Sequence, residues 1–408
     1  MTLKISPKGA AIWMERVSMQ SRKEIITRHK KKYEKAHKKE KSEILDNVCS
    51  TIGLSRGHVA RMLRQKSHDK KQPTKRRGRK PQYTENVVIQ LLEKLWVQMD
   101  CICGKRLRAG LSDMVDALVR HGELNAPEWV IKKLLSMSAA TIDRLLAPIR
   151  QKMQIRGRNT TKPGSLRKKD IPIRVGNQWE ENKPGYIEMD LVAHCGETAS
   201  GDYINTLDMT DIYSGWTETI AVQNKAQVHV FSAIKAIRAR LPFTLRGLDS
   251  DNGSEFINDQ LYRYCLKENL VFTRSRPYNK NDNCHVEQKN YTVIRKQIGY
   301  ARYEGVTTVK IFNKYYELLR LYGNFFLPSV KLIKKERNGA RVYKKYDAPL
   351  TPFERLMQCE DVTDEQKNVL LAQIKMLNPA ALKRDMMSLQ EQILSMAVQH
   401  NQSKQKLV

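Results

Sequence analysis

Three carboxylates stand out in this 408-residue chain of net charge +30: Asp190 in "GYIEMD", Asp251 in "LDSDNGSEF" and Glu287 in "NDNCHVEQKN". Asp249, Asp251 and Glu255 fall within seven positions, where clustered carboxylates repel and each becomes harder to ionise beside the next. Grouping them in a basic chain makes chemical sense if they hold a cation. Their oxygens suit Mg²⁺ or Mn²⁺, and two such ions can activate an attacking oxygen and stabilise a leaving one at phosphorus. Asp249 and Glu255 compete for the second position. Strand alternation puts Asp249 and Asp251 on one face, so periodicity leaves both open, whereas Glu255 suits the start of the following helix. Asp208 and Asp211, in "LDMTDIYSGW", fit turn and cap roles. Glu188 shares a strand face with Asp190 as its neighbour.

The segments around these acids read as a layered scaffold. "GYIEMDLVAHC", "DYINTLDMTD" and "TETIAV" are successive strands, followed by a helix at "AQVHVFSAIKAIRARL". A buried strand "FTLRGLDSD", a helix over 259–268, the strand "LVFTRS" and a helix over 282–298 complete an α/β layer with a mixed sheet. Strand ends and a neighbouring helix can aim side chains at one point. Asn252-Gly253 is a strong turn dipeptide, able to end its strand sharply. Asn283 and Asn290 flank Glu287 at helical spacing. Cys284 and His285 suit helix surface or core better than ligation.

The charge is unevenly spread, with 24 Lys/Arg against 7 Asp/Glu in residues 1–80. So local a positive field is the footprint of nucleic-acid binding, driven by phosphate contacts and counterion release. "KSEILDNVCSTIGLSRGHVARMLRQK" has the pattern of a helix-turn-helix: Ile44, Leu45, Val48 and Ile52 face inward, Gly53 breaks the first helix, and Ser55 can cap the second. Val59, Met62 and Leu63 face back, which turns Arg56, His58, Arg61 and Arg64 toward DNA. Arg76, Arg77 and Arg79 in "RRGRKP" resemble an AT-hook for the minor groove, though Lys80 intervenes before Pro81, and a non-specific phosphate tether is an equal alternative. The helix-turn-helix logic repeats at "APEWVIKKLLSMSAATIDRLLAPIR", with Ser138 as cap, Ile142, Leu145 and Leu146 as core, and Thr141 and Arg144 exposed.

Other classes are disfavoured. No apolar run approaches a bilayer span, the N-terminus has no secretory pattern, and seven cysteines form no disulfide framework. CxC at Cys101 and Cys103 lacks the spacing of a zinc hairpin. The chain thus divides into a basic helix-turn-helix unit (1–69), a basic linker (70–83), a second helical unit (84–150), a further basic linker (151–182), a catalytic core (183–325), a small β module (326–350) and a helical tail (351–408). The module is a basic hairpin turning at Asn338-Gly339 and facing DNA. In the tail, Asn378 caps and Pro379 opens a helix. Its stripe of Leu382, Met386, Leu389, Ile393 and Met396 is compatible with subunit contacts.

Taken together, 183–300 resembles the catalytic core of the retroviral-integrase superfamily, with 35 residues between its second aspartate and its glutamate. "SDNGSEF" is similar to the second-aspartate motif and "NDNCHVEQKN" to the glutamate helix; with its upstream units, the chain resembles bacterial insertion-sequence transposases. The resemblance implies a ribonuclease-H-like fold, with Asp190, Asp251 and Glu287 as the catalytic and metal-binding triad. It favours Asp251 over Asp249. Asp190 would bridge two Mg²⁺ or Mn²⁺ ions, with Asp251 and Glu287 each completing one side. It further implies a cytoplasmic, nucleoid-associated bacterial protein, homo-oligomeric on double-stranded DNA, that cuts 3′ ends at terminal repeats and joins them to target DNA. A nuclease without strand transfer and a DNA-binding regulator with an inactive core are the alternatives. Many relatives carry Lys or Arg seven residues after the glutamate, where this chain has Ile294. Lys289, Arg295 and Lys296 therefore stand as phosphate-contact candidates.

Overall fold

The computed structural model describes residues 18–64, 82–153, 182–250, 255–256, 258–274, 284–339 and 341–398. Arg76, Arg77, Arg79, Asp251 and Asn283 fall outside them. The chain splits into two units, Met1–Pro81 and Gln82–Val408.

In the first unit, α1 (Met19–Lys35), α2 (Lys38–Ile52) and α3 (Arg56–Arg64) pack around Ile26, Tyr33, Leu45, Val48, Ile52, Val59 and Leu63. Gly53 ends α2 at φ +66°, a left-handed conformation that glycine adopts without strain. The short corner that results presses α3 against both earlier helices.

The second unit begins with α4 (Asn86–Gln98), α5 (Gly104–Arg120), α6 (Glu128–Leu135) and α7 (Ala139–Lys152). Val88, Leu91, Leu92, Leu95 and Trp96 recur at helical spacing and give α4 one buried stripe. Ser138 caps α7, its hydroxyl accepting from Thr141 N at 3.2 Å. The core of these helices is continuous with that of the central sheet.

That sheet holds β1 (Tyr186–Ala193), β2 (Asn205–Asp211), β3 (Thr217–Val222), β4 (Gly247–Ser250) and β5 (Val271–Arg274), in the order β3-β2-β1-β4-β5. β1 and β2 pair antiparallel, as do β2 and β3, while β4 runs parallel to both β1 and β5. The crossovers use α8 (Gln227–Arg240) and α9 (Asp259–Lys267). This is the mixed sheet of an α/β layer, as the strand and helix pattern implied.

Register sorts the side chains. Ile187, Met189, Leu207, Met209 and Leu248 share one buried apolar face, whereas Glu188, Asp190, Thr206, Asp208, Thr210 and Asp249 share the other. Beyond β5 come α10 (Cys284–Lys289), a π-helical turn (Asn290–Arg295), α11 (Lys296–Ile298) and α12 (Val306–Phe326). α12 lies over β3 and supplies polar partners there. Asn313 Oδ1 accepts from Ala221 N at 2.7 Å while its Nδ2 donates to Ala221 O at 3.0 Å. Asn324 does the same for Thr217, at 3.0 and 2.9 Å. The two amides lie about three helical turns apart, so both reach the strand and satisfy edge groups that would otherwise lack partners. Asn324→Leu leaves the Thr217 N–H and C=O unmatched in a buried setting, and should lower stability by about 2–3 kcal/mol, read from the urea midpoint.

The chain ends with the hairpin β6 (Leu332–Asn338) and β7 (Arg341–Tyr346), then α13 (Pro352–Met357), α14 (Asp364–Met376) and α15 (Pro379–Ser395). Gly339 takes φ +59° at the hairpin turn. Asn378 caps α15 through bonds from Ala380 N and Ala381 N. Leu382, Met386 and Ile393 are buried in their own chain, where α15 packs on α12. That packing covers the stripe expected to be compatible with subunit contacts. Among the described residues no helix is long and apolar enough to cross a membrane, and six cysteines are free thiols.

Candidate active site

The site is built outward from β1. Asp190 is partly buried at the centre of the sheet. Its Oδ1 accepts from Leu191 N at 2.8 Å and its Oδ2 from Asn290 Nδ2 at 2.6 Å. Two residues earlier Glu188, buried, accepts from Val286 N through Oε2 at 2.9 Å. Val286 immediately precedes Glu287, which is exposed in the first turn of α10. Successive residues on one strand face therefore hold the aspartate and tether the helix that carries the glutamate. A third tie comes from Lys289, whose Nζ donates to Gly215 O at 3.1 Å in the β2–β3 turn.

Why the helix departs from α geometry just here can be read in its contacts. Asn290 opens the π-helical turn, and its amide reaches across to Asp190 while its Oδ1 is buried without a hydrogen-bond partner. A π-turn takes an extra residue per turn, an irregularity often found at functional sites.

Asp208 pairs across the ladder with Asp190. It is fully buried in mid-strand, not in a turn or cap, which corrects the reading of its sequence context. Burial pushes its carboxyl up to about 8, opposed by the Lys289 charge and reinforced by Asp190. Burial likewise lowers the Lys289 ammonium to about 8, while Asp208 draws it upward. Asp211 does fill the capping role, accepting from Gly185 N at 2.8 Å and from Ser214 N and Oγ at 2.7 and 2.6 Å. At Gly185, φ is +111° and a Cβ would stand 2.3 Å from Thr244 O, so this close approach requires glycine.

Asp249 is level with Glu188, and its Oδ1 accepts from Thr273 Oγ1 on β5. The parallel register closes at Met189↔Ser250, the residues immediately before Asp190 and Asp251. Among the described residues no group of three His, Cys, Asp or Glu side chains is gathered closely enough to hold a metal.

Residues 180–280 match the family model described as the integrase core domain. Over 340 residues the chain is 37% identical to the uncharacterized protein y4rM of Sinorhizobium fredii (strain NBRC 101917 / NGR234), spanning 83% of this chain and 96% of that protein. The chain belongs to one family with that protein, and its residues 180–280 form an integrase core domain. Solved structures with some similarity include the catalytic core domain of BIV integrase, at 18% identity over 43% of this chain and 95% of that one, with a TM-score of 0.30. Another is the HTLV-2 integrase core in complex with magnesium (trimeric form), at 15% identity over 28% and 68%, with a TM-score of 0.23. The family match makes residues 180–280 a nucleic-acid-processing core of transposase/integrase type.

Around this integrase core the predicted contact residues differ in their surroundings. His58, Arg61 and Arg64 are exposed on α3, whereas Arg56, also exposed, is bonded back to Asp46 and Ser42 of α2. Arg144 is exposed and donates to Thr141 Oγ1 at 3.2 Å. Of the phosphate candidates, Arg295 donates to Ala193 O at 2.8 Å and lies over the Tyr300 ring, and Lys296 donates to Asp100 O at 3.0 Å. Arg295 is thus half-buried and built into the scaffold, whereas Lys296 stays exposed. Sequence reasoning gave no positioning role to Glu188, which it took as a mere neighbour. The available signal was its alternation with Asp190 on a single strand face.

Proposed function

We propose that this protein is a DNA transposase. It binds the terminal repeats of a mobile element, hydrolyses a phosphodiester to free a 3′-hydroxyl, and directs that hydroxyl at target DNA. The observation that carries the reading is the double tether of β1 to the glutamate helix, Asp190 to Asn290 and Glu188 to Val286. Family membership supplies the chemistry class, and the charge of residues 1–80 supplies the affinity for duplex DNA.

In this reading Asp190, Asp251 and Glu287 would hold the divalent cations. An all-carboxylate donor set selects hard ions, Mg²⁺ or Mn²⁺, over zinc. Such ions, when bound, would stabilise charge on the attacking and leaving oxygens. Asp251 is preferred to Asp249 because Asp190 and Asp251 directly follow the paired residues Met189 and Ser250, and because Asp249 already accepts from Thr273. Asn290 orients the Asp190 carboxylate, and Glu188 fixes where α10 begins.

The N-terminal α2–α3 corner is assigned as a helix-turn-helix, with His58, Arg61 and Arg64 directed at DNA. Thr141 and Arg144 on α7 would extend the footprint, and the Arg76, Arg77 and Arg79 segment would tether it. The working form is a homo-oligomer on DNA. Incubating the protein with Mg²⁺ and labelled DNA copied from the sequences that flank its gene tests the proposal. Joined products are expected. Cut ends alone would make it a nuclease, and unchanged DNA would make it a regulator with a silent core.

A further inference from the structure

The β6–β7 hairpin is the least explained part of the molecule. Residues 331–346 carry seven cations, Lys331, Lys334, Lys335, Arg337, Arg341, Lys344 and Lys345, against one acid, Glu336. Among the described residues no third strand joins the pair, and a lone two-stranded ribbon is marginal in water. Its register sets Lys334 opposite Lys345 and Lys335 opposite Lys344. Like charges facing each other across a ladder are destabilising, and the exposed Lys334–Glu336 pair offsets little of that. Ile333, Val342 and Tyr343 are 61%, 46% and 55% exposed on the same arm.

The root, by contrast, is firmly held. Lys331 N donates to Asp347 Oδ1 at 2.6 Å and Asp347 N to Lys331 O at 3.0 Å. The buried Arg355 donates to Asp347 Oδ2 at 2.8 Å, to Ser329 O at 3.0 Å and to Leu350 O at 2.8 Å. A cleft of about 360 Å³ opens beside this root. Lys331, Lys344 and Arg106 line it together with Gln288 and Lys289, the two residues after Glu287. The arm and the glutamate helix thus share one basic surface.

We propose that β6–β7 is a DNA-binding ribbon that lies in a groove of the duplex and leads its backbone to the active site. The inference rests on the transposase reading and adds a contact surface to it. Three observations favour this occupant. The facing Lys334 and Lys345 gain counter-charge from phosphates on either side of a groove, and the major groove admits a two-stranded ribbon. The exposed Ile333, Val342 and Tyr343 can meet sugars and base edges. A second copy of the arm is the worse partner, because pairing two such edges sets more lysines together. Lysines on exposed strands also block edge-to-edge pairing, but that role alone needs neither the shared cleft nor a clamped root.

The test uses the full chain, a labelled linear duplex of mixed sequence and the matching single strand. The triple variant K334A/K344A/K345A should lower the slope of log affinity against log salt by about three for duplex. The drop for the single strand should be smaller. Removing facing like charges does not threaten folding, which a thermal midpoint confirms. Tyr343→Ala should weaken duplex binding about tenfold or less with the slope unchanged. An unchanged slope in the triple variant, with the wild type still cutting DNA, overturns the ribbon and leaves the transposase reading intact. Equal losses on duplex and single strand overturn the groove assignment. A change in self-association instead of the slope makes a second copy the partner. Wild-type protein that neither binds nor cuts DNA overturns both readings together.

Discussion

Asp190→Asn should reduce Mg²⁺-dependent cleavage and joining by about 10³-fold or more, with duplex affinity within about twofold of wild type. The substitution keeps the size of the side chain and an oxygen that can accept from Leu191 N or Asn290 Nδ2. What it removes is a negative charge and, on the proposed reading, a cation ligand. Folding should therefore survive, and a matched thermal midpoint separates lost chemistry from lost structure. DNA affinity should persist because it is assigned to the basic N-terminal segments and the exposed α3 side chains. Asp251→Asn should behave alike. Asp249→Asn is the discriminating control: its carboxylate lies against Thr273 and level with Glu188, so it should retain most activity. Full loss in Asp249→Asn with an active Asp251→Asn would reverse the choice of second carboxylate. Gel-resolved 3′-end cleavage and strand-transfer assays on repeat DNA give both readouts.

Sequence revealed the scaffold where one physical pattern dominated. The strands holding Asp190 and Asp249 announced themselves as apolar runs with acids at fixed positions, and the structure pairs them in a mixed sheet. The capping roles of Ser138 and Asn378, and the turn at Asn338-Gly339, followed from local backbone chemistry that needs no tertiary partner. Asp208 was misjudged because its neighbours Thr210 and Asp211 lead into a real turn. The strand "DYINTLDMTD" already contained it; what register adds is that it lies beside Asp190 on one sheet face. The roles of Asn313 and Asn324 were invisible for a related reason. Solvated amides and edge-satisfying amides look the same until the helix is laid on its strand. The tail stripe had the right period, but period says nothing about whose surface covers it. Its partner is α12 of the same chain.

Asn290→Asp should lower cleavage at neutral pH by about 10- to 100-fold and move the acidic limb of the rate profile upward. The wild-type amide donates to Asp190 Oδ2 at 2.6 Å. A carboxylate there would bring oxygen against oxygen, and at that distance the pair holds a shared proton. The sign follows directly. If catalysis needs both Asp190 oxygens ionised, a pair that keeps its proton to higher pH loses activity at low and neutral pH and regains it as pH rises. Asn290→Ala removes the donor without adding charge, so its rate should fall while the acidic limb stays in place. A purely structural role for Asn290 would depress both variants equally with no displacement of the profile. Coincident pH profiles for wild type and Asn290→Asp would therefore detach Asn290 from the chemistry. They would also remove one of the two tethers by which β1 and the glutamate helix are argued to form a single site.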